Sequence, residues 1–156
     1  MIQNIRHNNL FEELKVCVII PTYNNQDTIA SVINDVKNYT NKIIVVNDGS
    51  TDKTSEILKQ FGDTMVIEYA ENIGKGQAIR LGFIKAMELR FEYAITIDAD
   101  GQHYADDLPL FLQKLNKNPK SLIIGSRNIN AEGMPGKNTF ANKFSNFWFK
   151  FETGIN

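Results

Sequence analysis

The sequence predicts an α/β protein, a doubly wound and mostly parallel sheet flanked by helices, and three observations carry that expectation. Short β-branched runs alternate with longer segments of helical periodicity along most of the chain. The run at 93–97 is short, apolar and β-branched rather than strictly alternating, which suits a strand covered on both faces. The polar clusters follow strands rather than helices. A parallel sheet gathers such clusters at its carboxyl edge, where ligands bind in open α/β sheets.

Composition narrows the classes. A chain of 156 residues is one domain by size and long enough for a substantial core. The formal net charge of -1 gives no basic field for nucleic acid, so no nucleic-acid partner is expected. No apolar stretch approaches the roughly 18–20 residues of a membrane span. The first 14 residues are polar and mixed, without a signal-peptide core. Cys17 is the single cysteine and sits in an apolar run, as expected of a buried structural thiol in a reducing cytosol. The reading is a cytoplasmic protein with an N-terminal extension, 1–14, before one domain, 15–156.

Taken in order, residues 1–14 have weak periodicity (Ile2, Ile5, Leu10, Leu14) and read as a loose extension or short docking helix. The first strand, 16–20, is expected to stop at Pro21. Asn25 or Asp27 then caps a helix with apolar positions Ile29, Val32, Ile33 and Val36. The second strand, 43–46, runs into Asn47-Asp48-Gly49-Ser50-Thr51-Asp52, a turn with a cap built in, before a helix over 53–61. A third strand covers 65–69. Asn72-Ile73-Gly74-Lys75-Gly76 leads into a helix over 77–90, its apolar stripe read as Ala78, Leu81, Phe83, Ile84 and Met87. The fourth strand is 93–97, a helix follows near 106–115, and 122–124 reads as a fifth strand entering Gly125-Ser126-Arg127. A Gly-, Asn- and Pro-containing loop, 128–138, precedes a return to helical spacing over 139–151.

The fourth strand ends in Asp98-Ala99-Asp100-Gly101-Gln102-His103. Residues i and i+2 of an extended segment point the same way, so Asp98 and Asp100 can converge beyond the strand. Two carboxylates there suit Mg²⁺ or Mn²⁺ sharing oxygens with a ligand phosphate, and Gln102 offers a third, neutral oxygen. The plain alternative is a polar turn. Asp48 can accept hydrogen bonds from a nucleotide base or cap its own turn. Gly49 permits a tight turn or a close ligand approach. Lys75 can meet a phosphate at a helix start, although Gly74-Lys75-Gly76 lacks P-loop spacing. Arg127 suits a diphosphate oxygen or simply faces solvent, and His103 reads as a structural brace. No nucleophile triad stands out, and two His with one Cys are too few for a typical zinc site.

Four motifs in this order, Pro21-Thr22-Tyr23-Asn24, Asn47 to Asp52, Asn72-x-Gly74-Lys75-Gly76-x-Ala78 and Asp98 to His103, resemble family 2 glycosyltransferases of the GT-A fold. The last motif and Gly125-Ser126-Arg127 are most similar to the dolichol-phosphate mannosyltransferase group and its bacterial polyprenyl-phosphate relatives. The resemblance spans about 16–127. It implies nucleotide-sugar binding by Pro21, Thr22, Tyr23, Asn24, Asp48, Gly49, Lys75, Asp98, Ala99 and Asp100. It further implies a metal on Asp100 and Gln102, and catalytic roles for Asp98, Asp100 and Arg127. The implied activity is inverting, metal-dependent transfer of a hexose from a GDP- or UDP-sugar to a polyprenyl phosphate. Transfer to a hydroxyl of a cell-surface glycan, or donor binding without turnover, are the alternatives.

Family members continue beyond the 139–151 segment, so the donor half is expected to be complete and the acceptor half not. Phe140, Phe144, Phe147, Trp148 and Phe151 form an aromatic stripe. Such a stripe ordinarily faces a core; its other reading is a lipid-facing surface at the inner face of the cytoplasmic membrane. If uncovered, it favours self-association.

Overall fold

Four strands, Val16–Thr22 (β1), Ile43–Asn47 (β2), Met65–Glu68 (β3) and Tyr93–Thr96 (β4), run parallel in the computed structural model, which describes residues 10–102 and 105–125. Their spatial order is β3-β2-β1-β4. Helices Ile29–Lys37 (α1), Thr54–Leu58 (α2) and Lys75–Glu88 (α3) connect them. A 3₁₀ turn, Ala105–Asp107, leads into Leu108–Lys117 (α4). The chain divides into two units, Met1–Ser121 and Leu122–Asn156; of the second, only 122–125 is described.

β1 is buried along its whole length and continues through Pro21, past its expected stop. The ladder explains why. Val18 donates to Lys42 and Thr22 accepts from Asp48 on the β2 side, while Ile19 accepts from Ile97 on the β4 side. Pro21 shares Ile19's side, beyond the last residue paired with β4, so its missing N–H costs no ladder bond. β4 is only half-buried, against the expectation of a strand covered on both faces, because its second edge has no strand beside it among the described residues. Residues 122–124 form no strand. A short apolar run becomes one only when a ladder forms in register.

The apolar positions expected of α1, Ile29, Val32, Ile33 and Val36, are all buried. Its N-cap is Thr28 rather than Asn25 or Asp27, and no side chain caps the helix. α2 is shorter than expected because the chain past Leu58 tightens into i→i+3 bonds, Gln60 to Ile57 and Phe61 to Leu58. α3 starts two residues early: the Gly74 carbonyl accepts from both Gln77 and Ala78, each at 3.0 Å. It closes at Arg90, whose positive φ lets Phe91 N–H reach back to the Ala86 carbonyl.

The expected stripe of α3 holds at Ala78 and fails at Phe83, Ile84 and Met87. The buried positions are Ala78, Gly82 and Ala86, while Phe83, Ile84 and Met87 are exposed. A Cβ on Gly82 would lie 2.5 Å from Ile19 Cγ2. The helix therefore lies close on β1 and β2, with Cys17, Ile19, Ile44 and Val46 against its small residues. Burial pushes the Cys17 thiol up to about 12, as suits an inert core cysteine. Phe11, within the expected extension, is also a core residue at 1% exposure. No helix among the described residues is long and apolar enough to cross a membrane.

Candidate functional site

The strand order reverses between β1 and β4, so the loops leaving their carboxyl ends part and open a crevice. A cleft of about 210 Å³ lies there. Pro21, Thr22, Tyr23 and Asn25 line it from the end of β1, and Asp48 from the end of β2. Asn72, Lys75 and Ala78 come from the segment entering and opening α3. Asp98, Ala99 and Asp100 come from beyond β4. Four separate stretches of sequence thus meet at one point.

Hydrogen bonds lock the first two loops together. Asn24, at φ +54, accepts with Oδ1 from Thr51 N at 2.8 Å, and its own N–H donates to Ser50 Oγ at 2.9 Å. Asn25 N donates to Thr54 Oγ1, Gln26 N to Asp52 Oδ2, and Lys53 N to Gln26 Oε1. Burial pushes the Asp52 carboxyl up, but hydrogen bonds from Thr54 and Gln26 outweigh it and hold the group below its ordinary value. Asn25 Oδ1 accepts from Thr22 Oγ1 and Tyr23 N, which bends the chain out of β1. The helix-cap reading missed this role.

Asp48 caps a different turn from its own. Its buried carboxylate accepts from Ile73 N with one oxygen and Gly74 N with the other, each at 2.9 Å. It thus clamps the loop before α3. Gly49, at φ +70, receives the same loop: a Cβ there would lie 2.4 Å from the carbonyl carbon of Glu71. The close approach expected of a ligand is made by the chain's own backbone. Gly49 and Asn24 lie outside the cleft wall.

Beyond β4, Thr28 Oγ1 donates to the Ala99 carbonyl at 2.6 Å and ties the acidic turn to the start of α1. Lys75 Nζ lies 2.7 Å from Asp98 Oδ2. Asp100 Oδ1 accepts from Gln102 N at 2.9 Å, so Asp100 shapes its own turn while still facing the cleft; Gln102 is not in the wall. Turn and ligand readings of Asp100 are therefore compatible. No three His, Cys, Asp or Glu side chains cluster among the described residues. Two carboxylates at an open cleft still fit a Mg²⁺ or Mn²⁺ ion that takes its remaining oxygens from phosphate and water. His103, Ser126, Arg127 and the 139–151 stripe lie outside the described residues.

The family model for glycosyl transferase family 2 matches residues 17–153. The chain is 34% identical over 129 residues to a UDP-N-acetylglucosamine–dolichyl-phosphate N-acetylglucosaminyltransferase of Methanococcus voltae, an alignment covering 72% of this chain and 51% of that one. It is 28% identical to a dolichyl-phosphate beta-glucosyltransferase, ALG5D, of Trichomonas vaginalis, over 90% of this chain and 49% of that one. The chain spans about half the length of these curated relatives. Glucosyl-3-phosphoglycerate synthase from Mycobacterium tuberculosis, crystallised with Mn²⁺ and UDP-glucose, shares the fold with a TM-score of 0.55. That match covers 74% of this chain and 44% of that one at 20% identity.

Proposed function

The chain belongs to glycosyl transferase family 2 and has the GT-A-type fold, and from that premise we propose that it moves a hexosyl group from a nucleotide sugar to a polyprenyl phosphate of the dolichol type. The observation that carries the reading is the meeting of Asp98, Asp100 and Lys75 in one cleft at the point where the strand order reverses. The two relatives named as dolichyl-phosphate transferases support the acceptor class.

In this reading Pro21, Thr22, Tyr23 and Asp48 wall the nucleoside end of the donor, and Asp98 and Asp100 hold Mg²⁺ or Mn²⁺. The bound ion would offset the negative charge that gathers on the departing diphosphate. Lys75 adds a cation on the same side, and Arg127 is proposed as a further diphosphate contact. An oxygen of the acceptor phosphate forms a bond to the anomeric carbon as the bond to the donor diphosphate breaks. Attack from the opposite face inverts that carbon, and the nucleoside diphosphate leaves. A lipid phosphate is already anionic at neutral pH and needs no base, whereas a glycan hydroxyl would need one. A lipid acceptor also implies peripheral contact with the cytoplasmic face of a membrane.

The test offers radiolabelled UDP-glucose, UDP-N-acetylglucosamine or GDP-mannose with Mn²⁺, and either dolichyl phosphate or a glycan as acceptor. Label should enter the organic phase from one donor, only with dolichyl phosphate, and be lost on chelation. Asp100→Asn should weaken Mn²⁺-dependent nucleotide binding on the order of 100-fold, read by calorimetry, with the fold intact. Transfer to the glycan instead, or donor binding without transfer to either acceptor, would overturn the reading.

A further inference from the structure

We infer that Lys75 is an internal counter-cation of the cleft: it stands on Asp98 in the ligand-free protein and gives that carboxylate up when a divalent cation arrives with a diphosphate. Cation and nucleotide therefore bind as a cooperative pair. The inference rests on the proposed metal–nucleotide role of the cleft and adds to it a coupling carried by one side chain.

Three observations lead there. The Lys75–Asp98 contact, at 2.7 Å, is as short as a charge-assisted hydrogen bond, and both side chains line the cleft. It is nevertheless exchangeable, because the lysine side chain is 61% exposed and the aspartate 29%. An ion pair this wet contributes little, at most about five-fold in an equilibrium constant. The backbone that carries Lys75, by contrast, is anchored. The buried Asp48 carboxylate clamps Ile73 and Gly74, the two residues just before it, and Gly49 seats the backbone of 71–72. A fixed root with an exposed tip lets the ammonium exchange partners within the cleft without moving α3.

The partner it can exchange to is anionic. Lys75 opens the first turn of a 14-residue helix, where a phosphate is favoured. A divalent cation arriving alone must displace the ammonium and leave it without that partner. A cation arriving with a diphosphate offers the ammonium phosphate oxygens in return. The second case is favoured by the strength of the exchanged contact, which makes the two ligands cooperative and makes the coupling reciprocal.

The test measures free Mn²⁺ by electron paramagnetic resonance during titration of the full chain, with and without UDP, for wild type, Lys75→Gln and Lys75→Arg. Circular dichroism checks that each variant is folded. Wild type should hold Mn²⁺ weakly alone and more tightly with UDP. Lys75→Gln should bind Mn²⁺ alone about five-fold more tightly and lose the same factor of UDP enhancement, while Lys75→Arg keeps the wild-type pattern. If wild type retains Mn²⁺ with UDP but Lys75→Gln binds Mn²⁺ alone no better, the counter-cation is wrong and the metal–nucleotide site stands. If wild type does not retain Mn²⁺ even with UDP, the site reading falls and this inference with it.

Discussion

Gly49 concentrates the local requirements of the cleft in one residue. Its φ of +70 disfavours any side chain, and an added Cβ would meet the backbone of Glu71 and Asn72 at 2.4 and 2.5 Å. Backbone cannot yield as a flexible side chain does. Gly49→Ala is therefore expected to cost about 2–4 kcal/mol, combining left-handed strain with overpacking. Urea denaturation reads the stability loss. UDP binding should weaken in the folded fraction as well, because the displaced loop leads directly to Asn72 and Lys75; a variant of unchanged stability would mean the loop has room to shift. Asp48 works on the same loop by a different means, its buried carboxylate accepting from two consecutive backbone N–H groups of that loop.

The instructive element is α3. A helix interior normally favours Ala over Gly by about 1 kcal/mol. At Gly82 that preference is opposed by Ile19 Cγ2, 2.5 Å from where the Cβ would stand, with Val46 Cγ2 at 3.4 Å. Ile19 is wholly buried in a central strand and branched at Cβ, so it has no easy alternative rotamer. Gly82→Ala is expected to destabilise by about 1–3 kcal/mol despite its better propensity, checked by the midpoint of urea unfolding at unchanged slope. Gly76→Ala is the control on the same helix: nothing lies within 4 Å of its Cβ position, so the propensity gain should appear unopposed.

For the molecule as a whole, carboxylates held low by hydrogen bonds make stability depend on acid. The Asp52 carboxyl is pushed up by burial and pulled further down by hydrogen bonds from Thr54 and Gln26, so it stays below the ordinary 3.8. Asp63 is held low first by its hydrogen bond from Lys37. A carboxylate whose folded value lies below its unfolded value stabilises fully above the unfolded value. That contribution is lost as pH falls through the folded one. The folded chain should therefore lose stability progressively below about pH 4, and Asp52→Asn should flatten that acid limb while lowering stability at neutral pH. Thermal midpoints measured across pH decide it; an acid limb as steep in the variant would assign the loss to other carboxylates.

The alternation of strands and helices, the buried face of α1 and the edge of the sheet where the polar loops gather are legible in the sequence, because each depends on spacing within a few residues or on the parallel topology that alternation implies. The same holds for the acidic turn at 98–100, which the end of β4 carries to the cleft. Tertiary structure alone decided the rest. Gly82 and Ala86 join Ala78 on the buried face of α3 because the sheet demands close approach; Gly82 leaves no hydrophobic signal to read, while Phe83 and Ile84 leave a misleading one. Asn24 tied two loops together, Asp48 clamped a backbone 25 residues away, and Lys75 met Asp98 across the cleft. Each of those pairings joins groups remote in sequence. Their partners are chosen by how the loops pack, which no local pattern encodes.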